Sequence, residues 1–257
     1  MPGRFVALGS SMAAGPGIAP RVPGSPRRAG RSERNYPHLV AHALRLDLID
    51  VTYSGATTAN VLDEPQHGAR PQIEALRGDE TLVTITIGGN DIGYVPALMA
   101  AGLPRPVRRL PVLGPRIREL LDPGPRDDQL RELEAAMRAV GRTVRLRAPA
   151  ARVLFVEYLT LLPPAGQPAE PLTPAEADLG RRLASQLQAV TTSVAAETGC
   201  EVVPVAEASR EHHAWSAVPW TVGARLPVPR RPVPFHPNAA GMAAVADMVV
   251  SRVRSPQ

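Results

Sequence analysis

Short apolar runs along this chain alternate with longer stretches whose apolar residues recur at helical spacing. Five runs read as strands: 5–8, 48–53, 82–87, 153–158 and 201–205. Several are β-branched and apolar on successive residues, the pattern of strands covered on both faces. Between them, Leu130, Leu133, Met137, Val140 and Val144 trace one helical face. Thr173-Pro174-Ala175-Glu176 reads as a capping box with proline at the first helical position. The helix it opens should run to Glu197 and stop before Gly199. His236-Pro237-Asn238 precedes a last helix carrying Met242, Val245, Val249 and Val253.

Alternating strands and helices predict a parallel sheet with helices on both sides. Right-handed crossovers leave few topologies. In such sheets a ligand lies beyond the carboxyl ends of the strands. That rule brings three segments together: 9–15, 54–58 and 88–91. The Pro-rich or Gly-rich stretches 21–34, 102–125, 163–171 and 206–235 are expected to be loops that frame the site. No internal repeat or linker divides the chain, so residues 1–257 are expected to form one domain.

Composition narrows the partners. Hydrophobic residues make up 44% and charged residues 21%, a globular balance. Aromatics are only 4%, so Leu, Val and Ala must build most of the core. The formal charge is +5, and all 29 basic residues are arginine. They are scattered (Arg27, Arg28 and Arg31; Arg108 and Arg109; Arg230 and Arg231) rather than gathered on one helix or interleaved with aromatics. The expectation is therefore no nucleic-acid partner, the arginine usage reflecting a GC-rich coding bias. A single cysteine, Cys200, excludes an intramolecular disulfide and a cysteine-built metal site. It reads as a small buried residue at a strand start. The first apolar run is far too short for a leader or a membrane span. A cytoplasmic protein without membrane insertion is expected, although a chain whose leader had been removed would look the same. The oligomeric state is not legible.

The three strand ends carry chemistry. "GSSM" offers Ser10 and Ser11, and "YSGATT" offers the open backbone of Gly55. "IGGND" offers the side-chain amide of Asn90, and "FHPNAAG" places His236 at the mouth of the last helix. A nucleophile, N–H donors and an imidazole are the parts of acyl transfer. Each has an ordinary alternative. Two serines in a turn are usually structural, and Asn90 and Asp91 could cap the helix after the third strand. His38, His42, His67, His212 and His213 have no partner motif and read as surface or packing residues, with pocket lining the alternative for His212-His213 in the loop before the fourth block. The glycine spacing of "GSSMAAGPG" is wrong for a dinucleotide fingerprint.

Taken in order, these blocks resemble the SGNH hydrolases, the GDSL esterase/lipase family. Gly9 and Ser11 match the first motif, Gly55 the glycine block, Gly88-Gly89-Asn90-Asp91 the "GxND" block and His236-Pro237-Asn238 the "HPN" signature. The resemblance implies a flavodoxin-like three-layer α/β/α sandwich on a central parallel five-stranded sheet. It implies Ser11 as nucleophile and His236 as general base. The oxyanion hole would be the N–H groups of Ser11 and Gly55 with the Asn90 amide. No metal or organic cofactor is implied, and the substrate would be a small-molecule or lipid ester. Three positions, in two of the motifs, depart from the pattern. Ser10 replaces the Asp of "GDSL", with Met12 for Leu, and Val233 stands where the family usually carries an Asp three residues before the histidine. The backbone carbonyl of Val233 is then expected to orient the imidazole, giving a Ser11–His236 dyad. The leading expectation is a serine hydrolase of carboxylic esters. Its rivals are an acyltransferase using the same acyl-enzyme and a non-catalytic binding protein on the same fold. Leu98, Met99 and Leu103 would either line an acyl pocket or belong to the core.

Overall fold

A computed structural model describes residues 2–108, 110, 111, 114–122, 124, 126–226, 228 and 231–255. The expected Arg109, Pro125 and Arg230 positions lie outside the described residues. Five strands form one parallel sheet: β1 (Arg4–Gly9), β2 (Asp47–Asp50), β3 (Glu80–Thr86), β4 (Arg152–Val156) and β5 (Glu201–Val203). Their order is β2-β1-β3-β4-β5. The helices between them begin with α1 (Ser11–Ala14), α2 (Tyr36–Leu44), α3 (Thr58–Leu62) and α4 (Tyr94–Ala101). Then come α5 (Arg105–Arg108), α6 (Gly114–Leu121), α7 (Arg126–Arg147), α8 (Pro174–Glu197), α9 (Val205–Ala208) and α10 (Ala239–Arg254).

Strand alternation splits the apolar runs between two cores. Val6 and Leu8 of β1, Val83 and Ile85 of β3, and Val153 and Phe155 of β4 face α7 and α8. Phe5 and Ala7, Leu82, and Leu154 and Val156 face α2 and α10. This is why β1, β3 and β4 carry apolar residues in succession, whereas the edge strands β2 and β5 are only partly buried. On α7, Leu133, Met137, Val140 and Val144 are buried, the face expected from their spacing. The arrangement is the three-layer α/β/α sandwich.

Helix starts follow their caps. Thr173 accepts from Glu176 N–H at 3.3 Å, and Glu176 accepts from Thr173 N–H at 2.8 Å, so the capping box is complete. Asn238 caps α10 by accepting from Gly241 N–H at 2.9 Å. Several expectations need correction, among them the fourth strand, which stops at Val156, and the stretch 206–235, which opens inside α9 and carries a 3-10 turn at Arg210–His212. The second strand stops at Asp50, although Val51 and Tyr53 still donate to Ala7 and Gly9 of β1. The fifth stops at Val203 because Pro204 has no N–H to extend a ladder, and Val205 opens α9. The stretch 102–125 is not simply a loop: α5 and α6 lie within it. Pro106 and Pro115 each fall at the second helical position, in the first turn, where proline is tolerated.

The chain moves from β1 outward to β2, then crosses back to β3 on the other side of β1. The carboxyl ends of β1 and β3 therefore flank the topological switch point. There the two backbones nearly touch. A Cβ on Gly9 would come within 2.4 Å of the Thr86 carbonyl oxygen, and Gly9 has φ +141°. Gly9→Ala should therefore lower the unfolding free energy by at least about 2 kcal/mol, combining backbone strain with overpacking. Urea melts measure this, and a loss under about 0.5 kcal/mol would mean that the approach is not tight.

Candidate active site

The turn after β1 is pinned by hydrogen bonds to Gln72 and Thr86. Gln72, buried, accepts from Gly9 N–H at 2.7 Å and donates to the Gly9 carbonyl at 3.0 Å. Ser10 N–H donates to Thr86 O at 2.9 Å. Ser10 then caps α1, so Ser11 opens that helix at the end of a fully pinned strand. Ser10 is completely buried, with its oxygen 2.9 Å from the Tyr158 hydroxyl.

Ser11 meets a residue 225 positions away. Its Oγ lies 2.8 Å from His236 Nε2, and both side chains are almost wholly buried. His236 Nδ1 lies 2.8 Å from the carbonyl oxygen of Pro234. A carbonyl can only accept, so Nδ1 carries the hydrogen and the neutral ring presents its Nε2 lone pair to the Ser11 hydroxyl. The expected acceptor, the Val233 carbonyl, is corrected to the next residue. Phe235 adopts a left-handed φ of +56°. That conformation folds the chain back so that the carbonyl two residues before His236, not three, faces its ring. Val233 N–H is held elsewhere, on Pro16 O at 3.2 Å.

The histidine loop is braced against the segment before it. Phe235 N–H donates to Val222 O at 2.8 Å, Val222 N–H to His236 O at 2.9 Å, and Asn238 N–H to Trp220 O at 2.9 Å. The Asn238 side chain donates to Pro219 O at 2.7 Å.

The other two strand ends converge through side chains. Asn90 Nδ2 donates to Ala56 O at 2.8 Å, which sets its amide beside Gly55 and uses one of its two hydrogens. Gly55 has φ +81°. Neither Ser11 N–H nor Gly55 N–H finds a protein acceptor among the described residues. Asp91 does not cap the following helix. Its Oδ1 accepts from Thr58 N–H at 3.0 Å and from Thr58 Oγ1 at 2.5 Å, tying the third strand end to the start of α3. Burial raises the Asp91 carboxyl, and the Thr58 bonds oppose that shift.

Other sequence candidates fall outside this cluster. Leu98 is buried in the core and Met99 packs against it. His212 stacks on Trp220 with ring centroids 3.8 Å apart. His213 is buried and accepts from Trp215 N–H. His38 bonds Asn35, His67 lies 3.0 Å from Arg28, and His42 is exposed. Cys200 is half-buried rather than buried. A cavity of about 410 Å³ opens at the end of β4, between Leu159–Pro164 and α8; Tyr158 lines it, but Ser11 and His236 do not. Among the described residues no group of His, Cys, Asp and Glu could hold a metal ion, and no helix is long and apolar enough to cross a membrane. Sequence reasoning missed Gln72, Tyr158 and Pro234. Only Pro234 had a local signal, its place beside the histidine.

Comparison with known proteins points to one group. The sequence model of the GDSL-like lipase/acylhydrolase family matches residues 7–244. The chain is 32% identical to Lipase 2 of Streptomyces coelicolor over 95% of its own length and 83% of the relative's. Its structure is similar to that of phospholipase A1 from Streptomyces albidoflavus NA297, with TM-score 0.79, 26% identity and coverage of 99% and 100% of the two chains. It is also similar to an extracellular lipase from Streptomyces rimosus, with TM-score 0.78, 27% identity and coverage of 98% and 100%.

Burial, partly offset by the bond to Pro234, lowers the His236 imidazole to about 4. The folded protein thus refuses a proton that the unfolded chain accepts at about 6.5. The contribution of His236 to stability is complete above about pH 6.5, falls away as pH drops to about 4, and is flat below. NMR titration of the ring should show it neutral down to about pH 4. A midpoint above 6 would contradict the buried, carbonyl-held geometry.

Proposed function

The chain belongs to the GDSL-like lipase/acylhydrolase family, and from that premise we propose that it hydrolyses carboxylic esters through an acyl-enzyme on Ser11, with His236 as general base. The observation that carries this reading is the 2.8 Å contact between Ser11 Oγ and His236 Nε2, with Nδ1 held by Pro234. Ser11 Oγ attacks the ester carbonyl while its proton passes to His236 Nε2. The tetrahedral oxyanion is met by the N–H groups of Ser11 and Gly55 and by the remaining amide hydrogen of Asn90. Collapse breaks the ester C–O bond, and the leaving alcohol takes the proton from His236. Water then attacks the acyl-enzyme, gives its proton to His236, and releases the acid. That proton returns to Ser11 Oγ.

A dyad of this kind does not need an aspartate for geometry. The Pro234 carbonyl fixes the tautomer as a carboxylate would, and it also accepts from the imidazolium that forms transiently. This weakens the binding-protein alternative, for which the absence of an Asp at position 233 would be the main support. Lipid esters are the substrate class favoured, because the relatives that share 26–32% of their residues with nearly the whole chain include a lipase and a phospholipase A1. An ester series of increasing acyl length, run beside a diacyl phospholipid, tests that class.

Ser11→Ala should abolish both turnover and labelling by a fluorophosphonate probe, with the fold unchanged by circular dichroism. Ser10→Ala should still be labelled and still turn over, with kcat lowered by no more than about tenfold. Mass spectrometry that placed the adduct on Ser10 would reverse the assignment.

Asn90→Ala should lower kcat by roughly 10²–10³-fold, the loss typical of one preorganised oxyanion donor. KM should move much less, because the charge it meets develops only in the transition state. Steady-state kinetics decide this, and a change confined to KM would assign Asn90 to substrate positioning instead.

A further inference from the structure

Tyr158 sits two residues beyond β4, and its hydroxyl reaches both turns that carry the proposed chemistry. Gly89 N–H donates to the Tyr158 oxygen at 3.2 Å, and the same oxygen lies 2.9 Å from Ser10 Oγ. The Tyr158 hydrogen is therefore available to Ser10. Ser10 Oγ also accepts from Met12 N–H at 3.5 Å, as suits its place at the start of α1. A serine at position 10, in place of the motif's Asp, gives the phenol a neutral acceptor. One hydroxyl thus bridges the residue before Ser11 and the residue before Asn90.

The ring explains a glycine. Gly89 has no left-handed φ. A Cβ there would lie 2.5 Å from Tyr158 Cε2 and 2.9 Å from its hydroxyl oxygen. Gly89 is glycine because the tyrosine presses against its backbone. The ring also borders the 410 Å³ cavity, so close packing does not enclose it on every side. Its two hydrogen bonds fix where the hydroxyl sits. Burial pushes the Tyr158 phenol up to about 12, so it stays protonated through the working range of pH.

We propose that Tyr158 is a positioning residue: its hydroxyl holds the Ser10–Ser11 turn and the Gly89–Asn90 turn at the separation the reaction needs. This rests on the roles of Ser11 and Asn90 given above. Because Tyr158 acts on the oxyanion side through Asn90, its effect should disappear when Asn90 is gone.

The test is a double-mutant cycle. Tyr158→Phe keeps the ring and removes the two hydrogen bonds. Alone it should lower kcat about 3–10-fold, the worth of one or two neutral hydrogen bonds, with KM within about twofold. In the Asn90→Ala background the same change should cost less than about twofold. Ser10→Ala removes the other end of the bridge together with the long cap bond from Met12 N–H, should lower kcat within the same range, and should add less than about twofold to Tyr158→Phe; it keeps the test open if Tyr158→Phe fails to fold. An unchanged kcat, or an equal loss in both backgrounds, overturns the proposal, as does a lowered melting temperature with kcat intact. If Asn90→Ala or Ser11→Ala retains full activity, the reading of the site fails first, and that outcome is distinct from additive behaviour of Tyr158→Phe.

Discussion

The structure depends on how closely β1 and β3 pass at their carboxyl ends. Gly9 leaves no room for a side chain against the Thr86 carbonyl, and Ser10 donates its N–H to that same oxygen. Gln72 clamps both backbone groups of Gly9 from below. With the two strands locked together there, the turn bearing Ser11 and the turn bearing Asn90 leave the sheet side by side. The switch point of a parallel sheet is a general place for a ligand. In this molecule the generality becomes specific through one glycine, one glutamine and one carbonyl.

Two consecutive side chains, Asn90 and Asp91, fasten the third strand end to the segment after the second. Asn90 reaches Ala56, and Asp91 reaches both polar groups at the start of α3. The amide of Asn90 is thereby fixed before any substrate arrives, which is what electrostatic preorganisation requires. Half of its donor capacity is used for that fixing, and the other half remains for the proposed oxyanion.

On the histidine side, a backbone carbonyl does what a carboxylate often does. It orients the ring but supplies less compensating charge, and His236 is almost wholly buried. Desolvation therefore dominates and the neutral base is strongly favoured. The arrangement includes a left-handed Phe235, a conformation that costs about 1–3 kcal/mol in a non-glycine residue. The bonds from Phe235 and Asn238 to the segment 220–222, and from Val222 back to His236, offset it.

The sequence by itself determined the alternation of strands and helices, the buried faces of α7 and α10, the capped start of α8, and the family with its four blocks in order. These are local facts: periodicity, cap chemistry and motif spacing are written in consecutive residues. Strand ends were less legible. Val51 and Tyr53 look like strand and still bond to β1, while prolines in the first turns of α5 and α6 disguised two helices as loop. Only the tertiary structure decided that Pro234 rather than Val233 holds His236, because that choice turns on a single left-handed residue. Nor could any pattern in the chain announce Gln72 or Tyr158. Gln72 binds a residue 63 positions away and Tyr158 one 148 positions away. Their partners become neighbours only after the sheet has formed, and a hydrogen bond between distant residues leaves no periodicity in either.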